Sequence, residues 1–154
     1  MGFSDQMKDS LGAEGARVEV ETSEEAVGRG GIARATVRIV GGTEPAKVDN
    51  IVLRVVQADR HWRDREGQAI ADNDAMALAD RSHLMPAWSL TTVFERSLEV
   101  NETVDSGAAH EVEVELPIPE TCGTSSMACA VTLNAQADIK GQIDPTGNGR
   151  LTIA

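Results

Sequence analysis

The feature that most constrains the fold of this chain is an alternation of apolar and polar residues with a period of two. It is clearest over 129–139, where every odd-numbered residue is apolar and Thr132, Asn134 and Gln136 lie between them. Successive side chains of a β-strand point to opposite faces, so the pattern predicts a strand with one buried face. One-sided alternation also favours an antiparallel sheet, because parallel strands are usually apolar on both faces.

The same period recurs along most of the chain, interrupted by turns rich in glycine or proline. The predicted strands are 17–22, 32–40, 48–57, 88–101, 110–118, 129–139 and 150–153. In the run 88–101, the spacing predicts that Leu90, Phe94, Leu98 and Val100 share one face. About seven such strands predict an all-β, antiparallel β-sandwich. No linker-like segment divides the sequence, so we expect residues 1–154 to form one domain.

Residues 1–12 depart from this pattern and predict a short amphipathic helix. Phe3, Met7 and Leu11 recur every four positions, which places them on one helical face. A helix this short is marginal in water without packing. We therefore expect it to dock on the sandwich or on a second subunit of a homodimer.

Residues 58–88 form the longest interruption of the strand pattern. The segment is polar at first, and alanine-rich from Ala69 to Ala79. Two interpretations stay open, a short helix around 70–79 or a mobile loop. An insertion of this length in a compact domain is either functional or disordered.

The charge of the chain argues against two classes of partner. It has 25 acidic and 14 basic residues, a net charge of −11. Binding to nucleic acids and to anionic lipids relies on basic surfaces. No run approaches the ~20 apolar residues of a membrane-spanning helix, and 1–6 lacks the basic start and apolar core of a secretion signal. We expect a cytoplasmic protein without stable membrane insertion that binds no nucleic acid.

Sequence motifs for catalysis, cofactors or metals are missing. There is no nucleophile elbow, phosphate-binding loop or dinucleotide fingerprint. His61, His83 and His110 have no second ligand at the spacing of a zinc site. Cys122 and Cys129 do not form a C-x-x-C pair, so we expect buried thiols, with a disulfide across their turn as the alternative. The sequence therefore predicts no metal, no cofactor and no enzyme.

The order of several stretches is shared with a known family. They are ARVEVE at 16–21 behind a short helix and glycines, GG at 41–42 followed by VDNIVL at 48–53, LPIP at 116–119, and DIKGQIDP at 138–145 leading into LTI at 151–153. With these the chain resembles the bacterial sporulation-control proteins of the arrestin-like superfamily. The resemblance covers most of the chain except 58–88. It concerns the N-terminal arrestin-like domain only, since members of the family generally continue beyond it.

This resemblance implies an arrestin-like, immunoglobulin-like β-sandwich that is not an enzyme. Such domains present sheet surfaces and loops to other proteins. It therefore implies a regulatory adaptor that acts through protein–protein interaction, in sporulation or related stress and developmental responses. The alternative is a β-sandwich that binds a small ligand or carbohydrate, with 58–88 closing the pocket. Sugar sites usually use stacking rings, and the chain has only two Trp, two Phe and no Tyr.

Two candidate partner-binding residues lie on the strand 48–57. Val52 and Val56 flank Arg54 on its second face, opposite the apolar residues that we expect in the core. They are too apolar for open solvent unless something covers them. Either the segment 58–88 folds over them, or they form a free binding face.

The other candidates surround a tryptophan at the start of the 58–88 segment. Trp62 lies among Arg60, Arg63 and Arg65 in an otherwise acidic chain. Trp and Arg are the residue types most often found as interface hot spots. Whatever covers the two valines, we expect Trp62 and its arginines to contact a protein partner while the sandwich supports them.

Overall fold

The computed structural model describes residues 15–154, so the helix predicted over 1–12 lies outside the described residues. Strands are the main regular structure of the described chain, together with one short helix. In chain order the elements are β1 (Arg17–Thr22), β2 (Ile32–Val40), β3 (Ala46–Arg63), β4 (Ala69–Ala71), the helix α1 (Asp72–Met76), β5 (Met85–Val104), β6 (Ala109–Pro117), β7 (Cys129–Ile139) and β8 (Thr146–Leu151).

The strands form two antiparallel sheets. One sheet has three strands in the order β1-β2-β6. In the other, β3 is central, with β5 on one side and β7 followed by β8 on the other. The short strand β4 pairs with the last three residues of β3. The all-β, antiparallel fold class is therefore as predicted.

The two sheets bury one core between their inner faces. In β7 the odd-numbered residues are buried and the even-numbered residues half-buried, over the bounds and in the phase that the sequence predicts. Large side chains with no more than 1% exposure come from both sheets and from the chain after β6; they are Val37, Ile39, Val48, Ile51, Leu53, Val55, Leu116, Ile118, Val131 and Leu133.

The edges of the two sheets approach closely where β1 meets β8. A Cβ atom on Gly147 would lie 2.5 Å from the carbonyl oxygen of Val18, so only glycine fits there. Nearby, the Thr22 hydroxyl donates to the carbonyl of Arg150 at 2.6 Å. On the opposite side of the sandwich, a guanidinium nitrogen of Arg96 in β5 donates to the carbonyl of Glu115 in β6 at 3.0 Å. Both sides are thus bridged between the sheets.

The segment 58–88 contains a short helix within 70–79, as one interpretation predicts, but the rest of the segment differs from both interpretations. Its two ends are strand, because β3 runs on to Arg63 and β5 begins at Met85, and the two strands pair continuously from Ala58 to Arg63. Between them lie β4 and the five-residue helix α1, shorter than the predicted helix. The hairpin keeps its backbone paired where the apolar alternation has stopped.

The phase predicted for β5 is wrong at Leu90. Val55 lies opposite Phe94 and Val56 opposite Thr92, so Val93 is an extra residue in β5. A bulge of this kind exchanges the faces on either side of it. As a result Phe94 packs against the core, whereas Leu90 is 73% exposed.

Candidate functional site

The outer face of the five-stranded sheet changes character along its length. Here "outer face" means the side turned away from the three-stranded sheet, and "tip" means residues 58–90. At the tip the register places Trp88 opposite Arg60, and Ala58 between Leu90 and Ala130. The tip therefore presents aromatic and apolar side chains outward.

The outer face is polar at the base of the sheet, which we define as β3 up to Val55 together with its paired strands. Here Arg54 binds Glu95 at 3.3 Å and donates to the amide oxygen of Gln136 at 3.2 Å. Asn134 of β7 donates to Asn148 of β8 at 3.0 Å. Hydrogen bonds between side chains cover this half of the face, whereas apolar groups cover the tip.

The strongest polar contacts of the tip form around one carboxylate, and we call Arg60, Trp62 and Asp72 the Asp72 cluster. One oxygen of Asp72 accepts from Nε of Arg60 at 2.6 Å and from the indole N–H of Trp62 at 2.9 Å. The Arg60 and Asp72 side chains are only 15% and 18% exposed. The Arg60 guanidinium lies 5.4 Å from the Trp62 ring centroid, within cation–π distance.

These contacts hold the pKa of Asp72 below its ordinary value of 3.8. The hydrogen bond from Arg60 is the largest cause, and the hydrogen bond from Trp62 is the second. Both stabilise the ionised carboxylate. Asp72 is therefore charged at neutral pH and holds both side chains in place.

The local sequence explains how Asp72 reaches the sheet. The Asp64 carboxylate accepts from the amides of Glu66 and Gln68, at 3.0 and 2.9 Å, and Gly67 has a φ of +82°. This turn sends β4 back along β3, with Ile70 opposite Trp62. Because α1 starts directly after β4, its first residue is Asp72.

The structure brings together only some of the predicted site residues. Arg60 and Trp62 meet in the Asp72 cluster, and Val56 lies on the same outer face. Arg63 donates to the carbonyl of the turn residue Gly67 at 2.8 Å and alternates with Trp62 along β3, so it belongs to the opposite face. Arg65 is exposed in that turn.

The sequence left two arrangements open: the segment 58–88 covers Val52 and Val56, or these two valines form a free binding face. The observed contacts match neither arrangement in full. The segment reaches the outer face through Asp72, whose carboxylate accepts hydrogen bonds from Arg60 and Trp62. Val52 lies between Ser97 and Gln136, in the polar base, and Val56 lies between Thr92 and Thr132. Both valines are half-buried among their neighbours on the sheet.

A shallow concavity of about 530 Å³ lies beside the Asp72 cluster, on the outer face. Among the residues that line it are Ala58, Trp88, Met127, Ala130, Thr132 and Arg150. Trp88 is 48% exposed and Met127 is 86% exposed. Residue patterns in the sequence do not point to Trp88, Met127 or Arg150 as site residues. Trp88 joins the site because it lies opposite Arg60 in the β3–β5 pair, and the sequence does not show this register. No sequence pattern points to Met127.

The outer face of the three-stranded sheet is quite different. Arg38 lies 3.6 Å from Glu19 and 3.7 Å from Glu111, and Arg34 lies 3.3 Å from Glu115. These side chains are 44% to 79% exposed, so each pair contributes little to stability. This face is charged and solvated.

The two cysteines are buried and free, as the packing interpretation predicts. Burial is the main reason that the pKa of the Cys129 thiol rises to about 11, and the charge of Asp59 adds to it. Burial likewise raises the pKa of Cys122. Neither thiol has the lowered pKa of a nucleophile.

Over residues 15–154 we find no cluster of three or more His, Cys, Asp or Glu side chains that could hold a metal ion. Within the same range, no helix has the length and apolar character needed to cross a membrane. What the described chain does offer is a two-sheet sandwich with one charged outer face and one partly aromatic outer face.

Comparison with known proteins then identifies the family. The family model described as SpoOM protein (Spo0M) matches residues 5–154, and the chain belongs to this family. The resemblance to sporulation-control proteins is thus confirmed. No protein with a curated description matches the sequence significantly.

Two solved structures resemble this fold at low sequence identity. The crystal structure of Spo0M, a sporulation control protein from Bacillus subtilis, has a TM-score of 0.68 and 16% identity, and the match covers 90% of this chain and 49% of that chain. A DUF4466 family protein from Parabacteroides merdae has a TM-score of 0.53 and 11% identity, with 92% and 46% covered. The chain therefore spans about half the length of each.

Proposed function

We propose that this protein is a non-enzymatic, arrestin-like regulatory adaptor that binds a protein partner through the outer face of its tip. Membership of the Spo0M family supports a regulatory role. The similar Bacillus protein is described as a sporulation control protein, which supports a role in sporulation or a related response. A cytoplasmic location is part of the proposal, supported by the two free thiols.

One observation carries this proposal. The tip places Arg60, Trp62 and Trp88 beside one another on a single sheet face, and Asp72 fixes the first two. Trp and Arg that are held in place before binding lose little conformational entropy when a partner docks. Such a surface is typical of an interaction site.

The charged outer face of the other sheet supports the same assignment by contrast. Its exposed ion pairs, such as Arg34 with Glu115, are well hydrated, and its exposed apolar residue Ile32 lies at the end of β2. A partner that buries aromatic and apolar surface is therefore expected at the tip rather than on this face.

The test is capture of partners from lysate of the native cell, followed by binding of each purified candidate. We expect Trp88→Glu combined with Met127→Glu to lower partner recovery at least tenfold, because both side chains are exposed and outside the Asp72 cluster. Trp62→Ala should also lower recovery, because it removes an aromatic side chain of the same outer face. The matched control is Arg34→Glu on the charged face, with unchanged recovery. If the variants have normal melting curves and capture the same partners at the same yield, the outer face of the tip is not the site.

A ligand-binding module is the second candidate, and the concavity beside Trp88 is the observation that favours it. Its lining comes from strands and from residues 126 and 127; of the segment 58–88, only the strand residues Ala58 and Trp88 contribute. The tryptophan fluorescence of a Trp62→Phe variant reports on Trp88 alone. A saturable change on titration with a panel of mono- and oligosaccharides would favour this function over the adaptor.

A further inference from the structure

The loop that joins β7 to β8 displays one large apolar side chain, that of Ile143, which is 81% exposed. Hydrogen bonds hold its neighbours on both sides. The Gln142 amide accepts from the N–H of Ala16 at 3.1 Å and donates to the carbonyl of Ala16 at 3.2 Å. The Asp144 carboxylate accepts from the amide of Ile139 at 3.2 Å. Because both neighbours are tied to the sandwich, the loop presents Ile143 outward.

A small concavity of about 230 Å³ lies beside this loop, where β3 begins and β7 ends, and we call it the end concavity. Its apolar lining comes from Pro45, Ala46 and Ile139, and its two charged residues have opposite signs. Gln142 lines it as well and directly precedes Ile143. The exposed isoleucine and the apolar lining therefore adjoin one another at this end of the sandwich.

The first residues of the chain are attached to the sandwich at the same place. Ala16 is only 2% exposed, and its two hydrogen bonds to Gln142 fix its position. Gly15 itself lines the end concavity. Residues 1–14 lie outside the described residues, and they join the described chain at the edge of the end concavity. Any surface that they cover in their own chain is therefore expected close to Ile143.

The sequence of this first segment supplies an apolar surface of its own. In the helix that the spacing predicts over 1–12, Phe3, Met7 and Leu11 share one face, and we call them the apolar stripe. The other residues between them are polar or charged. Gly12 and Gly15 then follow, and glycines tolerate the backbone conformations of a sharp turn. The segment can therefore double back where it meets the sandwich.

We propose that residues 1–12 dock on their own chain, with the apolar stripe packed against Ile143 and the apolar lining of the end concavity. A helix of this length is marginal in water without packing, and Ile143 is exposed without a cover. Contact between them removes both apolar surfaces from water. The segment then closes the end of the sandwich that is remote from the tip. This inference goes beyond the proposed adaptor function and does not depend on it.

Reach and charge select this occupant and this place. Leu11 is five residues before Ala16, which allows at most about 17 Å between them, and an eleven-residue helix adds about 16 Å. The tip begins twelve residues along β3 from Ala46, about 40 Å away, so its apolar residues lie out of reach. Attachment to the same chain gives an effective concentration on the order of millimolar, whereas a second copy with a net charge of −11 is repelled.

Amide hydrogen exchange of the full chain, followed by mass spectrometry of its N-terminal peptide, tests the docking. We expect residues 1–12 to exchange at least tenfold more slowly than a free peptide of the same sequence, and Ile143→Asp to remove this protection. Met127→Asp is the matched control and should leave it unchanged, since Met127 is 86% exposed but lines the other concavity, beside Trp88. Peptides from β7 should stay protected in both variants, which shows that they are folded. No protection in the full chain, or equal protection in the two variants, overturns the proposal.

A disulfide between two introduced cysteines tests whether the contact lies within one chain. We expect Met7→Cys with Ile143→Cys to cross-link under mild oxidation at least tenfold faster than Asp5→Cys with Ile143→Cys, because residues 5 and 7 lie on opposite sides of a helix. The native Cys122 and Cys129 are buried and compete little. The product should have the mass of one chain at every protein concentration. Covalent dimers would assign the segment to a second copy and overturn the proposal, as would equal rates for the two pairs.

Discussion

The base and the tip of the five-stranded sheet are built from the same two strands but are held together differently. At the base, Val48, Ile51, Leu53 and Val55 of β3 have no exposed surface, because the three-stranded sheet packs against them. At the tip, and at Gln57 directly before it, the inward positions are polar. Gln57 accepts from the amide of Gly123 at 2.7 Å and donates to Asp59 at 2.8 Å, and Ser89 bonds His61 at 3.2 Å.

This difference shows that apolar alternation reports the extent of the facing layer rather than the length of the strand. The alternation in β3 stops at Gln57, where the core ends, and the strand continues to Arg63. Backbone pairing with β5 on one side, and with β7 and then β4 on the other, supports the remaining residues. Stability of the base therefore rests on burial, and stability of the tip rests on hydrogen bonds and the Asp72 cluster.

The largest expected effect is at the base. Leu133→Ala removes a side chain with no exposed surface and should lower the free energy of unfolding by about 2–5 kcal/mol. Leu90→Ala at the exposed tip is the matched control and should change it by less than about 0.5 kcal/mol. Denaturation in urea measures both. Equal losses would mean that the base and the tip are not distinct.

A second prediction concerns the close approach of β1 and β8 beside the base. Gly147→Ala places a Cβ atom 2.5 Å from the carbonyl oxygen of Val18, and backbone atoms cannot yield cheaply. We expect the free energy of unfolding to fall by about 1–3 kcal/mol. Gly28→Ala is the control, because a Cβ atom there meets nothing within 4 Å. A Gly147→Ala variant as stable as the control would show that the two sheet edges are further apart.

The sequence predicts strands that alternate over their whole length, but it does not predict contacts between the sheets or the bulge in β5. The bounds of β1, β2 and β7 were predicted correctly, because these strands alternate over their whole length. Bridges across the edges, such as Arg96 to Glu115, depend on the arrangement of the two sheets and have no local signal. The bulge at Val93 left no signal either, and it moved Leu90 to the outer face.

The candidate site was predicted only in part. Arg60 and Trp62 were selected by residue type and do lie together. Their partner Asp72 was not, because it lies ten positions after Trp62 in the sequence, beyond a turn and the short strand β4. Trp88 joins them only because the register of β3 and β5 places it opposite Arg60.

A third prediction uses pH to separate the tip from the base. The folded chain lowers the pKa of Asp72, so the contribution of its carboxylate to stability is complete above the ordinary value of 3.8. It is lost as the pH falls through the lowered value. In a Trp88→Phe variant, the fluorescence of Trp62 should change over this acidic range before the base unfolds. Asp72→Asn should remove that step while far-UV circular dichroism stays unchanged; a step that persists in this variant assigns it to another group.

The smallest expected signal is at Cys129, where the base meets the tip opposite Asp59. With a pKa of about 11, about one thiol in a thousand is ionised at pH 8. Iodoacetamide should therefore label the native chain very slowly, and fully in denaturant, as mass spectrometry can follow. Rapid labelling of Cys129 in the native chain would mean that the tip separates from the base.

The pairing of β3 with β5 has a consequence for the order in which the chain folds. The hairpin closes between Arg63 and Met85, so its pairs are 22 to 58 residues apart, whereas the pairs of β3 with β7 are 70 to 91 residues apart. Shorter loops cost less entropy to close, so the hairpin is expected to form first. During synthesis the hairpin therefore waits with one side of β3 unpaired. An unpaired strand edge favours aggregation, so we expect the chain to be most prone to aggregate before β7 pairs with β3.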